Sequence, residues 1–114
     1  MLSGVWIKEF PGSITVTDTA GIILEMNDKA SKGYEKYGGY DLVGKSMLDC
    51  HPEPARTKVA EMLKNRTENS YTIEKNGVKK IIYQRPWYHE GEYAGFVELS
   101  LEIPLEMPHF IRKP

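Results

Sequence analysis

Apolar and polar residues alternate with a period of two at Ile14-Thr15-Val16-Thr17, break at Asp18-Thr19-Ala20-Gly21, and resume at Ile22-Ile23-Leu24-Glu25-Met26. A period of two puts one side of a strand on a core and the other towards water, so residues 14–27 predict a β-hairpin with a polar, Gly-containing turn. A helix start follows at once. Asn27-Asp28 supplies a capping oxygen, and Ala30, Tyr34 and Tyr37 recur at helical spacing until Gly38-Gly39. In residues 53–66, Ala55, Val59, Met62 and Leu63 mark one face, while Arg56, Lys58, Glu61 and Lys64 mark the other. This is an amphipathic helix of about three and a half turns, with Pro52 or Pro54 in the first turn, where a missing N–H costs nothing. Asn76-Gly77 then divides residues 71–75 from 78–88, and that dipeptide favours the positive φ of a tight hairpin. A second turn at His89-Glu90-Gly91-Glu92 leads into residues 94–103, and Pro86 belongs at a bulge or where no ladder donor is needed. The order is strand, strand, short helices, one longer helix and three strands. It predicts an α+β domain with one antiparallel sheet and its helices on one face.

Leu2, Trp6 and Phe10 fall at i, i+4 and i+8, with Val5 and Ile7 beside them, before Pro11-Gly12 ends the segment. A helix shorter than about 12 residues is not stable alone, so its apolar side needs a surface to pack on. Two surfaces qualify: the chain's own sheet, or a second copy of the chain.

Composition narrows the function classes. A chain of 114 residues is large enough for one core and too small for a second. The net charge of −1, with Lys and Glu mixed along the chain, leaves no basic face for nucleic acid. A single cysteine, Cys50, excludes an internal disulfide framework and a four-cysteine zinc site, and it fits a reducing compartment. No apolar run approaches the ~20 residues of a membrane span, and the N-terminus lacks the order of a signal peptide, so a soluble cytoplasmic protein is expected.

Candidate chemistry is sparse. Gly39 to Ser46 satisfies GxxxxGK[ST], the phosphate-binding loop, but that loop works by following a buried parallel strand and opening a helix, and here a polar, tyrosine-bearing helix precedes it. Cys50 and His51 are a nucleophile and a base by type. As sequence neighbours they project in different directions and have no third orienting group. The spacing of His89 and His109 gives them no reason to join a zinc site, and Cys50 reads as a buried thiol acting as a small apolar side chain. No catalytic role, metal or cofactor is assigned, and a non-enzymatic protein is expected.

Taken together, the pieces resemble the PAS domains, small sensory modules of signalling chains. The resemblance runs over residues 10–104: Ile14 to Asp18, Gly21 to Asn27, the Leu42-Val43-Gly44-Lys45-Ser46 elbow, Asp49-Cys50-His51-Pro52 before the long helix, and Gly95 to Ile103. The Cys50-His51-Pro52 and Val97-Glu98-Leu99 pieces are similar to PAS modules that accompany hemerythrin-like domains. The family implies a five-stranded antiparallel sheet against short helices, with a pocket between them. The flavin-bonding cysteine motif of the light-sensing branch is absent. Haem-binding relatives commonly use a histidine in the long helix, where this chain has none and offers only His51 just before it.

By the same resemblance, the Phe96, Glu98 and Ser100 face of the last strand looks into the pocket, and Val97, Leu99, Leu101 and Ile103 face away. An inward carboxylate needs a partner, which Gln84 on the neighbouring strand can supply. Reversed parity would leave Glu98 in water. The ligand-binding candidates are Tyr34, Tyr37, His51, Met62, Gln84, Glu98 and Ser100. The expected organisation is a helical cap over residues 1–12, a PAS domain over 13–104, and an extended tail over 105–114, since Pro104 and Pro108 oppose a helix there. The expected function is a regulatory module that binds a small-molecule ligand or a signalling protein and forms a homodimer. The competing expectation is a pure docking module with a self-filled pocket.

Overall fold

The computed structural model describes residues 4–114. Strands β1 (Ser13–Thr17), β2 (Ile23–Met26), β3 (Asn69–Lys75), β4 (Val78–His89) and β5 (Glu92–Ile103) form one antiparallel sheet in the order β2-β1-β5-β4-β3. Residues near the two ends of the chain therefore meet at the centre, where Ser13 pairs Ser100, Ile14 pairs Leu99, Thr15 pairs Glu98 and Val16 pairs Val97. The last three strands are joined by the turns that the sequence predicts. Asn76 and Gly77 both adopt positive φ, 54° and 79°, as do Glu90 and Gly91, 49° and 82°. That conformation matches the right-handed twist of the flanking strands. Pro86 pairs with Phe96, and the ladder shifts register at the following step, between Trp87 and Tyr88, so the missing donor sits beside an irregularity.

One glycine is required by a close approach. Gly95 holds φ at +143°, and a Cβ there would fall 1.9 Å from the Thr17 carbonyl oxygen. The same carbonyl accepts a 2.9 Å hydrogen bond from Trp87 Nε1, and Thr17 Oγ1 accepts one from the Phe96 N–H at 3.2 Å. Strand β5 thus crosses the end of β1 at backbone contact.

Between β2 and β3 lie helix α2 (Asp28–Gly33), 3-10 turns at Glu35–Tyr37, Gly39–Leu42 and Met47–Cys50, and helix α3 (Ala55–Asn65). The helical spacing read through Tyr37 ends four residues early. At Gly39 the chain folds back on α2, where a Cβ would lie 2.8 Å from Ser31 Oγ, and the next turn delivers Leu42 to the core. The residues of this region share one core with the sheet: Ile23, Met26, Leu42, Met47, Met62 and Phe96 are all buried.

Strand β1 departs from the half-buried strand that its alternation predicts. Ile14, Thr15 and Thr17 are 8%, 4% and 1% exposed, because β1 is an interior strand covered on both sides. Cover on the outer side comes partly from the N-terminal segment. Phe10 and Leu101 converge on Gly12, and helix α1 (Val5–Lys8) is tied to the domain by Lys8 to Asp28 at 3.0 Å and by Asn27 Nδ2 to the Ile7 carbonyl at 3.1 Å. Leu2 lies outside the described residues. Trp6, packed edge-on against Phe10, stays 56% exposed. Residues 104–114 carry no helix or strand.

Candidate functional site

A cleft of about 350 Å³ opens between α3 and the inner side of β3, β4 and β5. Strand β3 is the sheet's edge, and α3 does not cover it, so Tyr71 and Ile73 remain 44% and 45% exposed on the side that faces the cleft. Val59 and Met62 line the helical wall, Ile82 and Gln84 the sheet wall, and Tyr34 and His51 come from the segments before α3.

The polar floor is built by cross-strand register. Asn69 pairs Gln84 and Gln84 pairs Glu98, so three polar side chains sit abreast on one face. Their hydrogen bonds run in one direction: Asn69 Nδ2 donates to Gln84 Oε1 at 2.9 Å, and Gln84 Nε2 donates to Glu98 Oε2 at 2.8 Å. Asn69 thereby orients the Gln84 amide with its donor on the carboxylate. Burial pushes the Tyr34 phenol well above its ordinary value, and the Glu98 charge adds to the shift. The Tyr71 phenol is raised by the same two causes in the same order. Both phenols are held as neutral hydroxyls beside a carboxylate.

Most of the residues read from the sequence as candidates meet here. Tyr34, His51, Met62, Gln84 and Glu98 line the cleft together. The parity of β5 is the one expected, with Glu98 on the helix side opposite Thr15. Ser100 stands one step further along the same face, in an adjoining groove of about 160 Å³ with Ser13, Lys29 and Glu102, and it meets the cleft only through Tyr34 and Glu98, which line both. Tyr37 is a correction. The 3-10 turn that replaces the end of the helix leaves it 41% exposed, with Lys36 Nζ 5.1 Å from its ring centroid, away from the cleft. Sequence reasoning passed over Asn69 and Tyr71. The alternation of Asn69, Tyr71 and Ile73 on β3 was the available signal, but its meaning depended on which strand β3 pairs.

His51 Nδ1 lies 2.7 Å from the Met47 carbonyl and so carries the proton in that hydrogen bond, while Cys50 Sγ donates to the same carbonyl at 3.1 Å. The nitrogen nearest the thiol, at 3.5 Å, is therefore already a donor, and burial raises the Cys50 thiol above its ordinary value. Gly39 to Ser46 follows no strand, and its Lys45 N–H donates to the Leu42 carbonyl at 2.9 Å within an elbow. Among the described residues, no group of His, Cys, Asp or Glu side chains is placed to hold a metal ion. Nor is any helix long and apolar enough to cross a membrane.

No protein-family model matches the chain, and no curated protein does. Solved structures do. The PAS domain of an HTR-like protein from Haloarcula marismortui superposes with a TM-score of 0.61 at 18% identity, over 89% of this chain and 88% of that one. The PAS domain of BvgS from Bordetella pertussis gives 0.65 at 20% identity, over 90% and 84%. A sensory box sensor histidine kinase from Vibrio cholerae gives 0.62 at 15% identity, over 91% and 90%. With the five-stranded antiparallel sheet, the strand order and the helix-side cleft, these likenesses identify the fold of this chain as that of the PAS domains.

Proposed function

We propose that this chain is a non-enzymatic sensory module that binds a small molecule in the cleft between α3 and the sheet and passes occupancy on to a partner protein. The observation that carries the reading is the cleft's construction: an open space of about 350 Å³, with Val59 and Met62 on its helical wall and a hydrogen-bonded carboxylate at its floor. Apolar walls with a few convergent polar groups are the usual make-up of a small-molecule site. The self-filled alternative draws its support from the neighbouring space of about 20 Å³ under Thr15, Leu63 and Phe96, which core side chains nearly fill.

Signal output would leave through apolar surface contacts and not through a continuous helix after the last strand. Residues 104–114 form no transmitter helix, and Leu105, Met107, Phe110 and Ile111 are all more than half exposed. These side chains, and separately Trp6, are exposed apolar groups suited to contact with a second copy of the chain or with a signalling protein in the cytoplasm. Native mass spectrometry of the freshly purified protein, followed by a fragment screen read on the Met62, Ile73 and Ile82 methyl signals, tests the reading. Extra mass, or shifts at these methyls without shifts at Leu99 and Leu101 on the outer face, is the expected result. A clean apo mass together with no fragment that moves the three methyls would refute it.

A further inference from the structure

The charge inventory of the cleft says what kind of ligand suits it, given the reading of the cleft as a ligand site. Glu98 is the one acidic residue in the lining. Among the described residues, every ion pair lies elsewhere: Lys8 with Asp28, Lys29 with Glu102, and Arg85 with Glu68. The Gln84 amide takes Oε2 at 2.8 Å, the Asn69 bond locks that amide, and the Tyr34 hydroxyl stands at the same carboxylate, so the protein meets the Glu98 charge with neutral donors alone. Hydrogen bonds from neutral donors make a partly buried carboxylate tolerable but leave its charge uncompensated, and a cation brought to it gains the charge-assisted bond.

The surroundings of Glu98 suit an ammonium group better than any other donor. Tyr34 and Tyr71 bring aromatic rings to the same space, and ring faces attract a desolvated cation. Lys58 lines the cleft from the exposed side of α3, and Lys29 and Lys80 line the adjoining groove, but none of the three makes an ion pair with Glu98. An anionic ligand would be repelled by Glu98, and a neutral one would leave the carboxylate unmatched. The volume of about 350 Å³ lies near the lower end of the ~300–1,000 Å³ range of small-molecule sites and suits a small ligand.

We propose that the cleft takes a small organic cation, a primary amine on an apolar or aromatic body, with its ammonium on the Glu98 carboxylate and its body along Val59, Met62 and Ile82. The test is a panel of aliphatic and aromatic primary amines, each paired with its isosteric alcohol and carboxylate, titrated against the full chain at low salt while the Met62 and Ile82 methyl signals are followed. At least one amine should bind about tenfold to a hundredfold more tightly than its alcohol, the worth of a hydrogen bond to a charged group, and its carboxylate should not bind. Glu98→Gln keeps the side-chain volume and an acceptor for Gln84 while removing the charge, so it should bring the amine level with the alcohol at an unchanged melting temperature. Alcohols that bind as tightly as amines, or an amine preference that survives Glu98→Gln, would overturn the cation assignment and leave the cleft standing as a ligand site. Silence of the whole panel would overturn the proposal, while the cleft itself is judged separately by its native mass.

Discussion

Asn27 is 1% exposed and uses its whole side chain. Oδ1 accepts from the Ile14 N–H at 3.0 Å and the Ala30 N–H at 3.1 Å, and Nδ2 donates to the Gly12 carbonyl at 2.7 Å and the Ile7 carbonyl at 3.1 Å. One residue thus caps α2, holds the entry to β1 and ties down α1. Asn27→Ala removes all four bonds. Loss of the cap costs about 1 kcal/mol. The buried Ile14 N–H and Gly12 carbonyl each lose a partner, at about 1–3 kcal/mol apiece, whereas water can replace the bond to Ile7. The expected loss is about 3–7 kcal/mol, a large part of the ~5–15 kcal/mol by which a domain of this kind is stable. The urea midpoint should fall accordingly with an unchanged m-value. Asn27→Asp sharpens the test, since it keeps the volume and both accepted bonds but turns an oxygen towards the two carbonyls that Nδ2 served. It should be strongly destabilised at neutral pH and recover as the pH falls and the new carboxyl takes up a proton. A loss below about 1 kcal/mol for Asn27→Ala, or native stability for Asn27→Asp at neutral pH, would refute the assignment of these bonds.

Gly95→Ala should abolish soluble expression or lower the melting temperature severely, because its Cβ would meet backbone 1.9 Å away, whereas Gly77→Ala, with φ +79° but open space around it, should cost only about 1 kcal/mol; equal effects would contradict the crossing at Thr17. Trp87→Phe should cost about 1–2 kcal/mol through the lost Nε1 bond to Thr17, measured by urea unfolding, and no loss would remove that bond from the account. Tyr34 gives a pH dependence. Burial first and Glu98 second hold its phenol above the ordinary 10.0, so past that pH the unfolded chain releases a proton that the folded chain keeps. Its contribution to stability is therefore full below pH 10.0 and lost as the pH rises beyond it, by about 1.4 kcal/mol per pH unit. Tyr34→Phe should flatten that slope in urea midpoints taken on either side of pH 10.0, and identical slopes would argue against a buried Tyr34. Light scattering should give a dimer at high micromolar concentration, and Trp6→Ser should shift it towards monomer; a monomeric native chain would remove self-association from the reading.

The sequence by itself determined what local rules govern. Positive-φ dipeptides at Asn76-Gly77 and Glu90-Gly91 specify tight turns, the apolar stripe of residues 55–63 specifies α3, and Asn27 marks the start of α2, because each depends on neighbours within a few residues. Alternation also divided Phe96, Glu98 and Ser100 from Val97, Leu99 and Leu101, but which set faces the helices came from the family resemblance and not from the period. Tertiary structure decided the rest through contacts between distant residues. The pairing of β1 with β5 buries Thr15 and Thr17, which alternation alone would send to water, and sets Thr15 opposite Glu98. The pairing of β3 with β4 brings Asn69 to Gln84 and makes Tyr71 a wall of the cleft. The fold-back at Gly39 ends α2 early and turns Tyr37 outwards. A period of two says which side chains share a face of a strand; which surface covers that face depends on strand order and helix placement, and those are settled only when residues tens of positions apart compete for the same core.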